Sequence, residues 1–227
     1  MGNRFGIAVR QSAVAIVGLA LAGVVAAAPI SIVNFSFEDP ALGDGGFNLG
    51  PVTGWEVSAG IGTGEASGAF NPTVGQLAQG PTDGVQVAYS NNNGLALAQT
   101  LTALLTANTQ YTLMVDVQSR TDGFPEIGST LELWTEFDLL ASSSVGPIAG
   151  GSNALLTTSF FANSGDPHLG QALRIRLLAA GIQSEWDNVR LDATSQTPTA
   201  APEPATLALL GVAFAGMGLA RRRKPSR

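Results

Sequence analysis

The sequence predicts an all-β protein, an antiparallel β-sandwich, and three observations carry that prediction. Between its two ends the chain is rich in Gly, Ser, Thr, Asn and Val and shows little helical periodicity. Short alternating runs of apolar and polar residues recur between turn residues, the pattern of sheets with one face in a core. Residues 111–118 alternate without a break: Tyr111, Leu113, Val115 and Val117 point one way, and Thr112, Met114, Asp116 and Gln118 the other. A strand with one buried face explains that spacing.

Taken in order, residues 32–37 are predicted as the first strand, and Gly43, Asp44, Gly45, Gly46 and Asn48 as a loop. Residues 55–58 read as a short strand and 60–68 as a loop. Residues 85–90 and 95–101 are strands joined by the turn Asn91-Asn92-Asn93-Gly94. Residues 102–108 suggest a helical turn crossing between sheets. After 111–118, residues 130–140 fit one long strand or a tight hairpin. Residues 155–161, 173–178 and 186–192 complete the set, and 194–201 form a Thr/Pro/Ala linker without a core.

The two ends follow a different rule. Arg4 and Arg10 precede an apolar segment, residues 13–25, and then Ala26, Ala27 and Ala28. This order predicts a signal helix removed after Ala27, so residues 1–27 are a signal peptide and 28–193 the sandwich domain. At the other end Pro202-Glu203-Pro204 is followed by an uncharged apolar run, 205–220, and then Arg221, Arg222, Arg223 and Lys224. As a helix the run spans roughly 24 Å, short of the ~30 Å of a bilayer core. The basic cluster predicts a cytoplasmic end. These three features in this order resemble the bacterial PEP-CTERM sorting signal, also called the ice-binding protein C-terminal domain, over 202–227. The resemblance implies a transmembrane sorting helix cut near Pro-Glu-Pro by an exosortase, a membrane protease. It also implies an exopolysaccharide-producing host, and a product at the cell surface or in the extracellular matrix.

Charge separates the ends from the middle. Of 11 Lys+Arg, all but Arg120, Arg174, Arg176 and Arg190 lie in the ends; of 17 Asp+Glu, only Glu203 does. Four cations therefore face sixteen acids, and the domain carries a formal −12 with no lysine. Such a surface repels phosphate backbones, so nucleic acid is disfavoured, and divalent cations suit it. There is no cysteine, so a bound metal could replace the disulfides usual in exported domains. One histidine, His168, and no cysteine exclude His-rich zinc sites and Cys-His nucleophiles. Glu132, Glu136 and Asp138 read as a solvated strand face. Trp55 and Trp186 read as core; Phe124 and Trp134 are the candidate ligand-binding aromatics, able to stack on sugar rings.

The order N-x-x-F-E-D-P from Asn34, Gly54-Trp55, Y-x-L-x-V-x-V from Tyr111, and W-D-N-V-R-L from Trp186 resembles the galactose-binding-like jelly roll, the fold of many carbohydrate-binding modules. That resemblance implies neighbouring first and last strands with a structural calcium ion where they meet. Glu38 and Asp187 can supply its carboxylates, with Asn34 or nearby carbonyls completing a shell of six to eight oxygens. Within this fold the chain is similar to the calcium-dependent Stig cyclases. The shared pattern is N-x-x-F-E-D-P, the Y-T-L-x-V-D-V of residues 111–117, Gly123-Phe124-Pro125, Leu173-x-Ile175-Arg176-Leu177 and the terminal D-N-V-R-L. The resemblance implies that Glu185 occupies the position of their acid and Phe124 a pocket wall. A pocket tyrosine it implies on the strand 85–87 is replaced by Val85-Gln86-Val87. The expected function is an exported, calcium-stabilised carbohydrate-binding protein associated with exopolysaccharide. A calcium-dependent enzyme, cyclase-like or glycoside-active and using Glu185 as acid, is the alternative.

Overall fold

The computed structural model describes residues 27–57, 67–91 and 93–196. The expected signal peptide, most of the 60–68 loop, the later part of the linker and the sorting helix lie outside these residues. The described residues form strands and turns, and no helix among them is long and apolar enough to cross a membrane.

Two antiparallel sheets pack face to face. The first runs β3 (Ser67–Phe70), β4 (Val87–Ser90), β11 (Ser184–Ser195), β6 (Thr109–Gln118), β9 (Asn153–Ala162), with β1 (Ala28–Ile30) also beside β11. The second runs β2 (Glu56–Val57), β5 (Asn93–Leu104), β10 (Ala172–Ala180), β7 (Ser129–Trp134), β8 (Leu139–Val145). First and last strands are neighbours, Ala28 opposite Ala193. The core lies between the sheets: Leu113, Val115, Val117, Trp186 and Leu191 from the first, Leu97, Leu131, Leu133, Leu173, Ile175 and Leu177 from the second, all essentially solvent-free. Each such side chain contributes about 1.5–3 kcal/mol on burial. Trp55 and Trp186 belong to this core, as expected.

Several elements differ from the sequence reading. Residues 32–37 are not a strand. Asn34 and Phe37 have positive φ, 51° and 61°, and Phe37 N–H donates to the Asn34 carbonyl at 3.1 Å, closing a turn. Asn tolerates that left-handed conformation better than most residues. Residues 102–108 make no helical turn. Thr102 to Leu104 prolong β5, with Leu104 opposite Ala172, and Asn108, at φ 54°, turns the chain into β6. Residues 130–140 resolve as a hairpin, Leu133 pairing Ala141. Strands β3 and β8 extend where no strand was expected, and β11 runs through Thr194 and Ser195, into the expected linker.

Candidate functional site

Strand alternation places the functional side chains on the outer face of the first sheet. Trp186 points into the core, so Glu185 and Asp187 point out. Register sets Glu185 between Tyr89 of β4 and Gln118 of β6. Residues 71–86 cover this face, and Phe70, Leu77, Val87 and Tyr89 form a second small apolar cluster beneath them. A pocket of about 270 Å³ opens beside that cluster, lined by Phe47, Leu49, Phe70, Tyr89, Arg120 and Gln183, together with Asn91. Phe47 meets Tyr89 edge-on at 6.4 Å between ring centres, and the Tyr89 hydroxyl donates to the Asn48 carbonyl at 2.8 Å. Tyr89 stands two residues past Val87, on the same face of β4.

Arg120 follows β6 and forms the pocket's polar wall. Its Nε donates to Asp122 Oδ1 at 2.7 Å, its Nη2 donates to Asp122 Oδ2, and its Nη1 donates to Gln183 at 3.2 Å. Its guanidinium carbon lies 4.9 Å from the Phe70 ring centre and 5.2 Å from that of Phe124, both cation–π distances. The hydrogen bond from Arg120 holds the Asp122 carboxyl down at about 2. Behind Arg120 lies Glu185, fully buried. Neither of its oxygens has a hydrogen-bond partner among the described residues, and Arg120 Nε is 3.9 Å from Oε1. Burial pushes the Glu185 carboxyl well up; Arg120 opposes the shift, and Glu126 and Asp122 add to it. Glu126, also buried, accepts from Gly128 N–H (2.7 Å), Ser129 (3.1 Å) and Ser184 (3.0 Å) through Oε1. Its pKa is also raised by burial. A carboxyl whose pKa burial raises is the better placed to donate a proton.

The expected metal ligands lie along the same face. Glu38 Oε1 accepts from Val85 N–H at 2.8 Å and Gln86 N–H at 2.7 Å; Asp187 Oδ2 accepts from Asp83 N–H at 2.7 Å. Two carboxylates far apart in sequence thus brace one loop, 83–86. Gly84 belongs there because of its φ of +67° and because a Cβ would sit 2.3 Å from Glu38 Oε1. Burial raises Asp187 to about 7. The Asn34 side chain is otherwise engaged: Nδ2 donates to the Asp39 and Thr53 carbonyls and Oδ1 accepts from Asp39 N–H. Among the described residues no three His, Cys, Asp or Glu side chains form a metal-holding group.

Phe124 and Trp134 do not form one site. Phe124 lies against Arg120 but does not itself line the pocket, whereas Trp134 alternates outward on β7, on the outer face of the second sheet. There Arg176 covers its ring at 4.4 Å and its Nε1–H donates to Glu132 at 2.6 Å. Glu132 is accordingly an ion-paired residue, 3.5 Å from Arg176, on a partly solvated face. Sequence reasoning missed Phe47, Leu49, Phe70, Arg120, Glu126 and Gln183. The one available signal was Arg120, one of four cations in a domain of sixteen acids.

The described residues thus form a two-sheet antiparallel sandwich with an aromatic pocket on one outer face and a buried acid behind it. The sequence pattern of the HpiC1 cyclase family (HpiC1-like) matches residues 28–192, and the chain belongs to that family. A PEP-CTERM protein-sorting motif matches residues 200–224; it marks the chain for export and membrane-anchored sorting, and for processing by an exosortase, a membrane protease. A cyclase from Fischerella sp. TAU is 30% identical with a TM-score of 0.65, over 76% of this chain and 100% of that one. A Stig cyclase from Fischerella sp. TAU, in complex with (3Z)-3-(1-methyl-2-pyrrolidinylidene)-3H-indole, is 28% identical with a TM-score of 0.66, over 75% and 100%. The CBM22-1 xylan-binding domain from Paenibacillus barcinonensis Xyn10C is 15% identical with a TM-score of 0.43, over 72% and 94%. No curated protein matches the chain.

Proposed function

We propose that the exported domain binds a small, neutral aromatic molecule in the pocket formed by Phe47, Phe70 and Tyr89, with Glu185 as its proton donor. The observation carrying this reading is the pairing of an aromatic pocket with a buried carboxyl whose oxygens have no hydrogen-bond partner. Leaving such a group unpaired costs about 1–3 kcal/mol, a cost that folds retain mainly at working sites. The charges around the pocket favour a neutral ligand, because Arg120 is already matched by Asp122. A cyclase from Fischerella sp. TAU is known in complex with 4-(1H-indol-3-yl)butan-2-one, which makes that ketone a suitable probe. Calorimetric titration should show binding that weakens about tenfold in Tyr89→Ala, equivalent to ~1.4 kcal/mol, and is unchanged in Trp134→Ala. No heat of binding, or equal loss in both variants, would overturn the reading.

Calcium enters this proposal at Glu38 and Asp187, with carbonyl oxygens of the loop they brace. What favours it is charge: Asp187 is buried beside a second acidic residue, Asp83, although its oxygens already accept the backbone N–H groups of Asp83 and Asn188. A cation there would keep Asp187 ionised and tie β11 to the 83–86 loop. A melting temperature that is equal in calcium and in EGTA would remove the ion from the account.

A second reading rests on Trp134. Its partly exposed ring, with Arg176 over one side and Arg174 and Glu132 beside it, offers a surface for a sugar, and with it attachment to exopolysaccharide at the cell surface. Glycan-array binding abolished by Trp134→Ala and retained by Tyr89→Ala would favour this face.

A further inference from the structure

Arg120 lines the pocket, and Glu185 behind it does not. At 3.9 Å from Glu185 Oε1, the Arg120 Nε is too far for a hydrogen bond. Its N–H groups go instead to Asp122 and Gln183. Asp122 in turn accepts from Gln76 Nε2 at 3.1 Å. Thr121 ties the same turn to the covering loop, its N–H donating to the Gln76 carbonyl at 3.0 Å and its hydroxyl to the Gly75 carbonyl at 2.5 Å. The guanidinium is thus held by a partly exposed carboxylate while a buried one stays unpaired nearby.

We propose, resting on the small-molecule reading above, that Arg120 is a gate between the pocket and Glu185, latched by Asp122 and opened by an aromatic ligand that takes its place against Phe70 and Phe124. A ring against a ring and a guanidinium against a ring are interactions of similar strength. The exchange is therefore nearly balanced, and the apolar area the ligand buries drives it. The ligand class narrows accordingly to flat, uncharged ring systems. Arg120 is a positioning residue, acting by deciding whether Glu185 meets the ligand.

The test is carboxyl labelling of the whole protein with a water-soluble carbodiimide and glycine ethyl ester, read by peptide mass spectrometry. Glu185 should label slowly in the natural protein. It should label about tenfold faster in Asp122→Ala, the change in an opening equilibrium expected on loss of a charge-assisted hydrogen bond, and faster again in Arg120→Met. Glu132, on the other sheet, should not change. Asp122 is partly exposed, so its variant decides the matter if Arg120→Met fails to fold. Unchanged Glu185 labelling in Asp122→Ala, or labelling already fast in the natural protein, would overturn the gate. Indole, added as a separate probe, should bind Asp122→Ala more tightly than the natural protein. Faster labelling without indole binding to either would keep the gate and sink the ligand reading.

Discussion

On the outer face of the second sheet Arg174 meets Glu56 at 2.5 Å, Arg176 meets Glu132 at 3.5 Å, and Trp134 donates to Glu132. On the outer face of the first sheet Glu185 is buried with neither oxygen hydrogen-bonded, and burial raises Asp187 to about 7. The two faces use similar residue types. On the second sheet each of these carboxylates has an ion-pair partner at a partly solvated surface, with only Arg176 Nε left without a hydrogen bond; on the first, Arg190 pairs with Asp116, but Glu185 under the covering loop has no hydrogen bond, which costs stability. The difference teaches that the unpaired face is the one whose geometry folding alone does not reward.

The largest effect separating the faces should appear in pH. Burial pushes Asp187 up to about 7 in the folded chain, against about 4 for a free aspartate, so the folded chain holds that proton more tightly. Without a bound cation, the stability owed to this group is full below about pH 4 and falls as pH rises to 7, by at most about 4 kcal/mol. Denaturant titrations between pH 4 and 8 should show the decline, Asp187→Asn should lessen it and leave the part owed to Glu185 and Glu126, and calcium should raise the melting temperature more at pH 8 than at pH 5. Next comes Gly84→Ala, whose Cβ meets the Glu38 carboxylate from a left-handed backbone position; a loss of about 2 kcal/mol is expected in chemical denaturation. Glu185→Leu should go the other way, gaining about 1–3 kcal/mol by removing unpaired buried oxygens while abolishing any proton transfer. The smallest effect belongs to the second sheet. Glu132→Ala should cost about 1 kcal/mol or less, since its partners remain within reach of water. A large loss there would erase the contrast between the faces.

How much of this was legible depended on how local the cause was. The alternation of Tyr111, Leu113, Val115 and Val117 gave β6 its inward face directly, and the fold resemblance implied neighbouring strands at the chain's two ends, though the first of them is Ala28–Ile30 and not 32–37. The turn at Asn34 was harder to see, because it rests on that side chain bonding to Asp39 and Thr53 rather than on period. In β11 the core residues Trp186, Val189 and Leu191 break the two-residue step. Asn188, at φ 53°, absorbs the extra residue and donates to Asp116 at 3.0 Å, in line with the register shift between Asp187 and Arg190. That spacing was readable in principle. The pocket was not, because Phe47, Phe70, Arg120 and Gln183 meet only once loops from four parts of the chain fold over one sheet.

The central claim is that the first sheet's outer face, not the second's, receives the ligand. The most direct measurement is an amide chemical-shift titration of the isotope-labelled protein with indole. The account predicts saturable shifts gathered at Leu49, Phe70, Tyr89, Asn91, Arg120 and Gln183. Shifts gathered instead around Trp134 and Arg176, or none that saturate, would contradict it.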